Sequence, residues 1–130
     1  TGVQTCALPI CTVIVPVSDQ DGALDFFVGT LGFEKRADVP YGEGMRWVEV
    51  APPGARTSIA LHGPPGPEQP QPGIMTNIAL MTADLDADVE DLRARGVELE
   101  GDIMGGDDPV PRMIFFRDPD GNTYLLVERG

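Results

Sequence analysis

The amino-acid sequence predicts an α+β fold made of two βαβββ modules. Three observations carry that prediction. The order strand, helix, strand, strand, strand can be read twice along the 130 residues. The two readings coincide when one half is slid on the other by about 64 to 66 residues. A proline-rich tether separates them. The length suits one domain assembled from two half-sized units sharing a core.

The elements follow in order. Thr12 to Val17 is rich in β-branched residues, which suit a pleated, half-buried surface, and predicts a strand. Ser18 with Asp21 three residues on resembles a capping box and predicts a helix start. Leu24, Phe27 and Leu31 recur at helical spacing, with Phe26 beside the stripe and Gly32 as the terminating glycine. Phe33 to Val39, Met45 to Val50 and Thr57 to Leu61 read as strands, the last two separated by the turn residues Pro52 to Ala55. His62 to Gly73 (HGPPGPEQPQPG) holds five prolines in twelve residues and can neither pair in a sheet nor continue a helix. It is expected to be an extended tether.

The second half repeats the plan. Met75 to Met81 predicts a strand, and TADLDADVEDLRARG a helix with Leu85, Val89 and Leu92 on one face and Gly96 closing it. Val97 to Ile103 and Arg112 to Phe116 predict strands, Arg117 to Asn122 (RDPDGN) a turn, and Thr123 to Glu128 the last strand. VEVAPPGARTSIAL falls on IFFRDPDGNTYLLV, with Pro53 on Pro119 and Thr57 on Thr123. A module of this size covers one sheet face with its single helix. Its other face is buried by a neighbour or lines a cavity.

Composition narrows function. Twenty-one acidic residues against nine basic give a formal net charge of −12, which argues against nucleic acid and anionic membranes. No apolar run is long enough to cross a bilayer, and a cytoplasmic location is expected. P-loop, GxGxxG, paired CxxC and GxSxG motifs are absent. The acidic run from Asp84 to Leu92 has helical spacing and no central glycine, so it reads as a solvated helix face rather than a calcium loop.

The opening TGVQTCALPI matches the translation of a common sequencing-library adapter. Residues 1–10 are therefore expected to be non-native sequence, carried in frame with a metagenomic fragment, and Cys11 to be a hybrid junction codon. The competing reading is a genuine strand beginning near Thr5. On the first reading neither Cys6 nor Cys11 has a function.

VPVSDQDGALDFFVGTLGFE together with FFRDPDGNTYLLVE resembles the vicinal oxygen chelate (VOC) superfamily, which includes glyoxalase I, bleomycin-resistance proteins, fosfomycin-resistance enzymes and extradiol dioxygenases. The resemblance covers residues 12 to 129. It implies modules 11–62 and 74–130 joined by the linker 63–73, with strands forming a curved, cupped mixed sheet around a central pocket. It also implies a homodimer, often with modules paired across subunits. The family's enzymes hold a divalent metal with residues from the first and fourth strands of each module. Carried over singly, those places fall on Thr12, Ala60, Asn77 and Leu125. Thr, Ala and Leu cannot complete a zinc, iron or nickel site, so no metal and no other cofactor is expected.

His62 lies two residues beyond Ala60 on the same strand face, and Glu49 lies on the neighbouring strand. They are the candidate catalytic pair, His62 as a base or hydrogen-bonding group. Thr12, Trp47, Asn77, Phe115 or Phe116, and Tyr124 are the candidate ligand-binding residues, with Met45 on the face of Trp47. Large apolar walls with sparse polar groups suit a small-molecule site. Two functions stay open. One is a metal-free binding protein for an aromatic or cationic small molecule, akin to the bleomycin-resistance branch. The other is a lyase, isomerase or dioxygenase relative that uses a non-standard divalent metal site, or His62 or Glu49 as base.

Overall fold

The computed structural model describes residues 8–129. The expectation for residues 1–10, with Thr5 and Cys6, falls mostly outside them; Cys11 is exposed, with a free thiol. Strands β1 (Thr12–Pro16), β2 (Glu34–Pro40), β3 (Arg46–Ala51) and β4 (Ser58–His62) form one four-stranded sheet in the order β1-β4-β3-β2. Strands β5 (Met75–Thr82), β6 (Glu98–Met104), β7 (Met113–Arg117) and β8 (Thr123–Glu128) form a second in the order β5-β8-β7-β6. Each sheet is mixed: β1 pairs with β4, and β5 with β8, in parallel, and the remaining pairs are antiparallel. The same topology in both halves is what the internal repeat predicts.

The helices differ more from expectation. Asp19, not Ser18, caps α1 (Gln20–Leu24), its carboxylate accepting from the Asp21 and Gly22 amides. Ser18 instead donates its amide and hydroxyl to Asp120 in the other module, at 3.0 and 2.5 Å. The helix then widens into a π-helical segment, Asp25–Thr30, with the Leu31 amide reaching back five residues to the Phe26 carbonyl at 2.9 Å. Widening changes the phase of the buried stripe, so the adjacent residues Phe26 and Phe27 are both buried. Helix α2 (Leu85–Ala94) is capped by Asp84 on the Ala87 amide and buries Leu85 and Val89. Gly32 and Gly96 end the two helical runs in the left-handed conformation that their lack of a side chain permits.

One continuous core unites the halves. Val15, Val17, Val48, Val50, Ile59 and Leu61 from the first sheet meet Ile114, Phe116, Tyr124 and Leu126 from the second. Phe27 touches Tyr124 edge-on at 5.7 Å, and Tyr124 stacks on Phe116 at 5.4 Å. The opposite face of each sheet is left open. Along β5 the exposed Met75, Asn77, Ala79 and Met81 alternate with the half-buried Thr76, Ile78 and Leu80, the strand period of two. Exposed Ile14 (59%), Val39 (52%) and Met81 (72%) put apolar surface on these open sides.

The turn before β8 ties the halves together. Asn122, with 0% exposure, donates to the Pro16 carbonyl and to Asp118, and accepts from the Gly73 and Ile74 amides. The linker also starts under constraint. A side chain at Gly63 would put its Cβ 1.7 Å from the Val17 carbonyl oxygen, so only glycine lets the chain leave β4 there.

Candidate functional site

The open face of the first sheet carries a polar cluster. Thr12 opens β1 and pairs in register with Ser58, the first residue of β4, while Glu49 of β3 pairs with Ala60. These parities bring three side chains to one place. Glu49 accepts from Ser58 Oγ at 2.5 Å and Thr12 Oγ1 at 3.4 Å on one oxygen, and from Trp47 Nε1 at 2.5 Å on the other. The Ser58 hydroxyl, foremost, and the Trp47 indole hold the carboxyl below its usual range, against the opposing effect of burial. Glu49 is thus a fixed anion at neutral pH and a weak proton acceptor. Tyr41 packs edge-on against Trp47 at 6.3 Å and 73°, extending an aromatic wall beside the charge.

The expected residues separate into three places. Thr12, Trp47 and Glu49 come together on the first sheet. His62 ends β4, half-buried, two residues past Ala60, and makes no hydrogen bond to Glu49. Asn77 and Phe115 lie on the second sheet, Phe115 opposite Leu125. Phe116 is in the core at 1% exposure, so Phe115 is the member of that pair on the open side.

Tyr124 corrects the sequence reading. It is fully buried, and its hydroxyl donates to Asp118 Oδ2 at 2.8 Å, so it builds the core rather than a ligand wall. The register also shifts by one residue between the repeats. Glu49 pairs with Ala60, whereas its counterpart Phe115 pairs with Leu125, so Ser58 and not Thr57 occupies the place of Thr123. Tyr124 then corresponds to the core residue Ile59.

Two participants escaped the sequence reading. Ser58 lies two residues before Ala60, so strand alternation alone could have placed it beside Glu49. Tyr41 follows β2 in a loop, where no periodicity flags it. Gln20 also matters: its amide donates to the Arg46 and Leu61 carbonyls, both at 2.9 Å, bridging β3 and β4 beyond their last paired residues.

The four places where the resemblance implies metal ligands divide between the sheets, Thr12 and Ala60 on one, Asn77 and Leu125 on the other. A hydroxyl, a methyl, a carboxamide and an isobutyl group do not make a transition-metal donor set. Among the described residues no three His, Cys, Asp or Glu side chains group to hold an ion. A cavity of about 280 Å³ lies between the modules against Leu31, Phe33, Leu80, Leu92, Phe116 and Leu126; of the sequence-predicted residues it takes Phe116, the alternative to Phe115, and none of the others.

The family model described as the Glyoxalase/Bleomycin resistance protein/Dioxygenase superfamily matches residues 9–125. The chain belongs to this superfamily. A curated relative, YetH of Bacillus subtilis (strain 168), is 33% identical over 119 residues, covering 92% of this chain and 97% of that protein. A superfamily member from Sphaerobacter thermophilus DSM 20745 has a solved structure that superposes with a TM-score of 0.84 at 40% identity, covering 94% of this chain and 98% of that one. TnmS3, an antibiotic binding protein from Streptomyces sp. CB03234, superposes with a TM-score of 0.80 at 38% identity, covering 98% of this chain and all of the other (100%). No helix among the described residues is long and apolar enough to cross a membrane.

Proposed function

We propose that this superfamily member binds a small organic cation with an aromatic body on the open face of its first sheet, without a metal and without turning it over. The observation that carries the reading is the Glu49 carboxylate, fixed by Ser58, Thr12 and Trp47 beside the ring of Trp47. A permanent anion next to an indole attracts a cation both by charge and through the ring's negative face. The net charge of −12 favours approach of such a ligand from any direction. The likeness to an antibiotic binding protein supports binding over catalysis.

In this reading the open faces, with exposed Ile14, Val39 and Met81, are covered by a second copy of the chain, giving a homodimer. Light scattering is expected to return twice the chain mass of 13.9 kDa.

Trp47 is the sole tryptophan, so its fluorescence reports on this site alone. Titration with N-benzylpyridinium, an aromatic cation whose ring quenches indole emission on contact, is expected to give saturable quenching. Linear, non-saturating quenching with no calorimetric heat would overturn the reading.

A further inference from the structure

Helix α2 departs from the repeat on the side that meets the first module. Counted along the chain from the caps Asp19 and Asp84, Asp88, Asp91 and Leu92 stand where the first module has Ala23, Phe26 and Phe27. Those three are buried, at 6%, 8% and 0% exposure. Two core places of one copy are thus aspartates in the other, and the third has lost an aromatic ring.

All three residues line the cavity of about 280 Å³ between the modules, at the small end of the range for ligand sites, about 300 to 1,000 Å³. Its floor is apolar, and Leu31, Phe33, Leu80 and Leu92 are only half-buried against the core there. Asp88, Asp91, Leu92 and Arg95 recur at helical spacing, so one stripe of α2 forms a wall. Thr30, at the end of the first helical run, stands at the same cavity.

The charges do not balance. Arg95 is already engaged: its Nε donates to Asp91 Oδ1 at 3.1 Å and its Nη1 to the Thr30 carbonyl at 2.7 Å, across the modules. The half-buried Asp88 carboxylate, Asp91 Oδ2 and the Thr30 hydroxyl have no hydrogen-bond partner among the described residues. A partly desolvated carboxylate without a partner is a cost to the fold, and a cation seated beside it offsets that cost.

We infer that this cavity is a second ligand site, for a primary ammonium group carried on a short apolar chain. The chain lies against Leu31, Phe33, Leu80 and Leu126. The ammonium has three N–H donors, and Asp88, Asp91 and Thr30 supply the acceptors. A quaternary ammonium of equal charge has no donor to give them. The site shares no residue with the Glu49 cluster, and the assignment does not rest on the function proposed above.

The probe is n-hexylammonium, titrated by calorimetry into the whole chain at neutral pH. Saturable binding is expected, about tenfold tighter than that of N,N,N-trimethylhexylammonium, which keeps the charge and chain but lacks the donors. Asp88→Asn keeps the shape and removes the charge, and should weaken hexylammonium about tenfold with no loss of melting temperature. Leu92→Phe returns the ring that the first module carries at this place. It should fill the cavity and abolish binding, with the melting temperature equal or higher. Glu49→Gln should bind hexylammonium as the native chain does. No saturable heat with the native chain, equal affinity for the trimethyl compound, tighter binding of hexanoate, or an affinity unchanged in Asp88→Asn would overturn the assignment. Loss of hexylammonium binding in Glu49→Gln would place the ammonium on the first sheet and overturn it as well.

Discussion

The two modules share a topology but have divided the chemistry between opposite faces of their sheets. In the first, the polar investment is on the open face: Thr12, Ser58 and Glu49 hydrogen-bond one another beside Trp47. The corresponding places in the second are Asn77, Thr123, Phe115 and Met113, with no carboxylate among them. There the polar investment lies inside instead. Asp118 accepts from the Asp120 and Asn122 amides, the Asn122 side chain and the Tyr124 hydroxyl, all at 2.8–3.0 Å. One copy carries a charge on its open face and a largely exposed β3–β4 turn. The other has made its turn the fastening between modules.

The acids show the same division. Hydrogen bonds from Ser58 and Trp47 outweigh burial at Glu49 and lower its pKa. Burial outweighs the hydrogen bonds at Asp118 and raises its pKa, and Tyr124 beside it is raised as well, by burial first and the neighbouring Asp118 charge second.

The comparison breaks most visibly at the fastening. Asn122→Ala removes four hydrogen bonds and leaves buried partners unsatisfied, and is expected to cost about 3 kcal/mol in urea denaturation. The next effect is on binding: Trp47→Leu should weaken N-benzylpyridinium by about tenfold in calorimetry. Met113→Leu, at the corresponding place in the second sheet, should change it by less than about twofold.

Smaller still are the pH effects, opposite in sign. A lowered pKa means that Glu49 contributes stability above the ordinary glutamate value of about 4.3, lost as pH falls below it. A raised pKa means that Asp118 favours the fold when protonated, and that contribution fades as pH rises from about 3.9 through the raised value. Melting temperature against pH should therefore show a shallower acid loss in Glu49→Gln and a steeper one in Asp118→Asn, each by under about 1 kcal/mol. Arg56→Ala, in the exposed turn of the first module, should stay within about 0.5 kcal/mol.

The strands were legible because alternation and β-branching survive in both copies, and the tether because proline cannot pair. Part of the cluster was named in the sequence: Trp47 and Glu49 from positions that share a strand face, and Thr12 from the place where the resemblance implies a metal ligand. Tyr124 was named for its strand, which the resemblance implies is a wall, and its parity within that strand puts it on the core face. The π-helical widening after Leu24 leaves no mark in composition, and the cap moved to Asp19 because Ser18 found a partner about a hundred residues away. Contacts of that range are not written in local spacing.

The central claim is that the Glu49 anion selects a cation. Its most direct test compares N-benzylpyridinium with the neutral, nearly isosteric 4-benzylpyridine at alkaline pH, by calorimetry on the native chain and on Glu49→Gln. The native chain is expected to prefer the cation by about tenfold and the variant to bind both alike. A native chain that holds the neutral compound as tightly as the cation would contradict the claim.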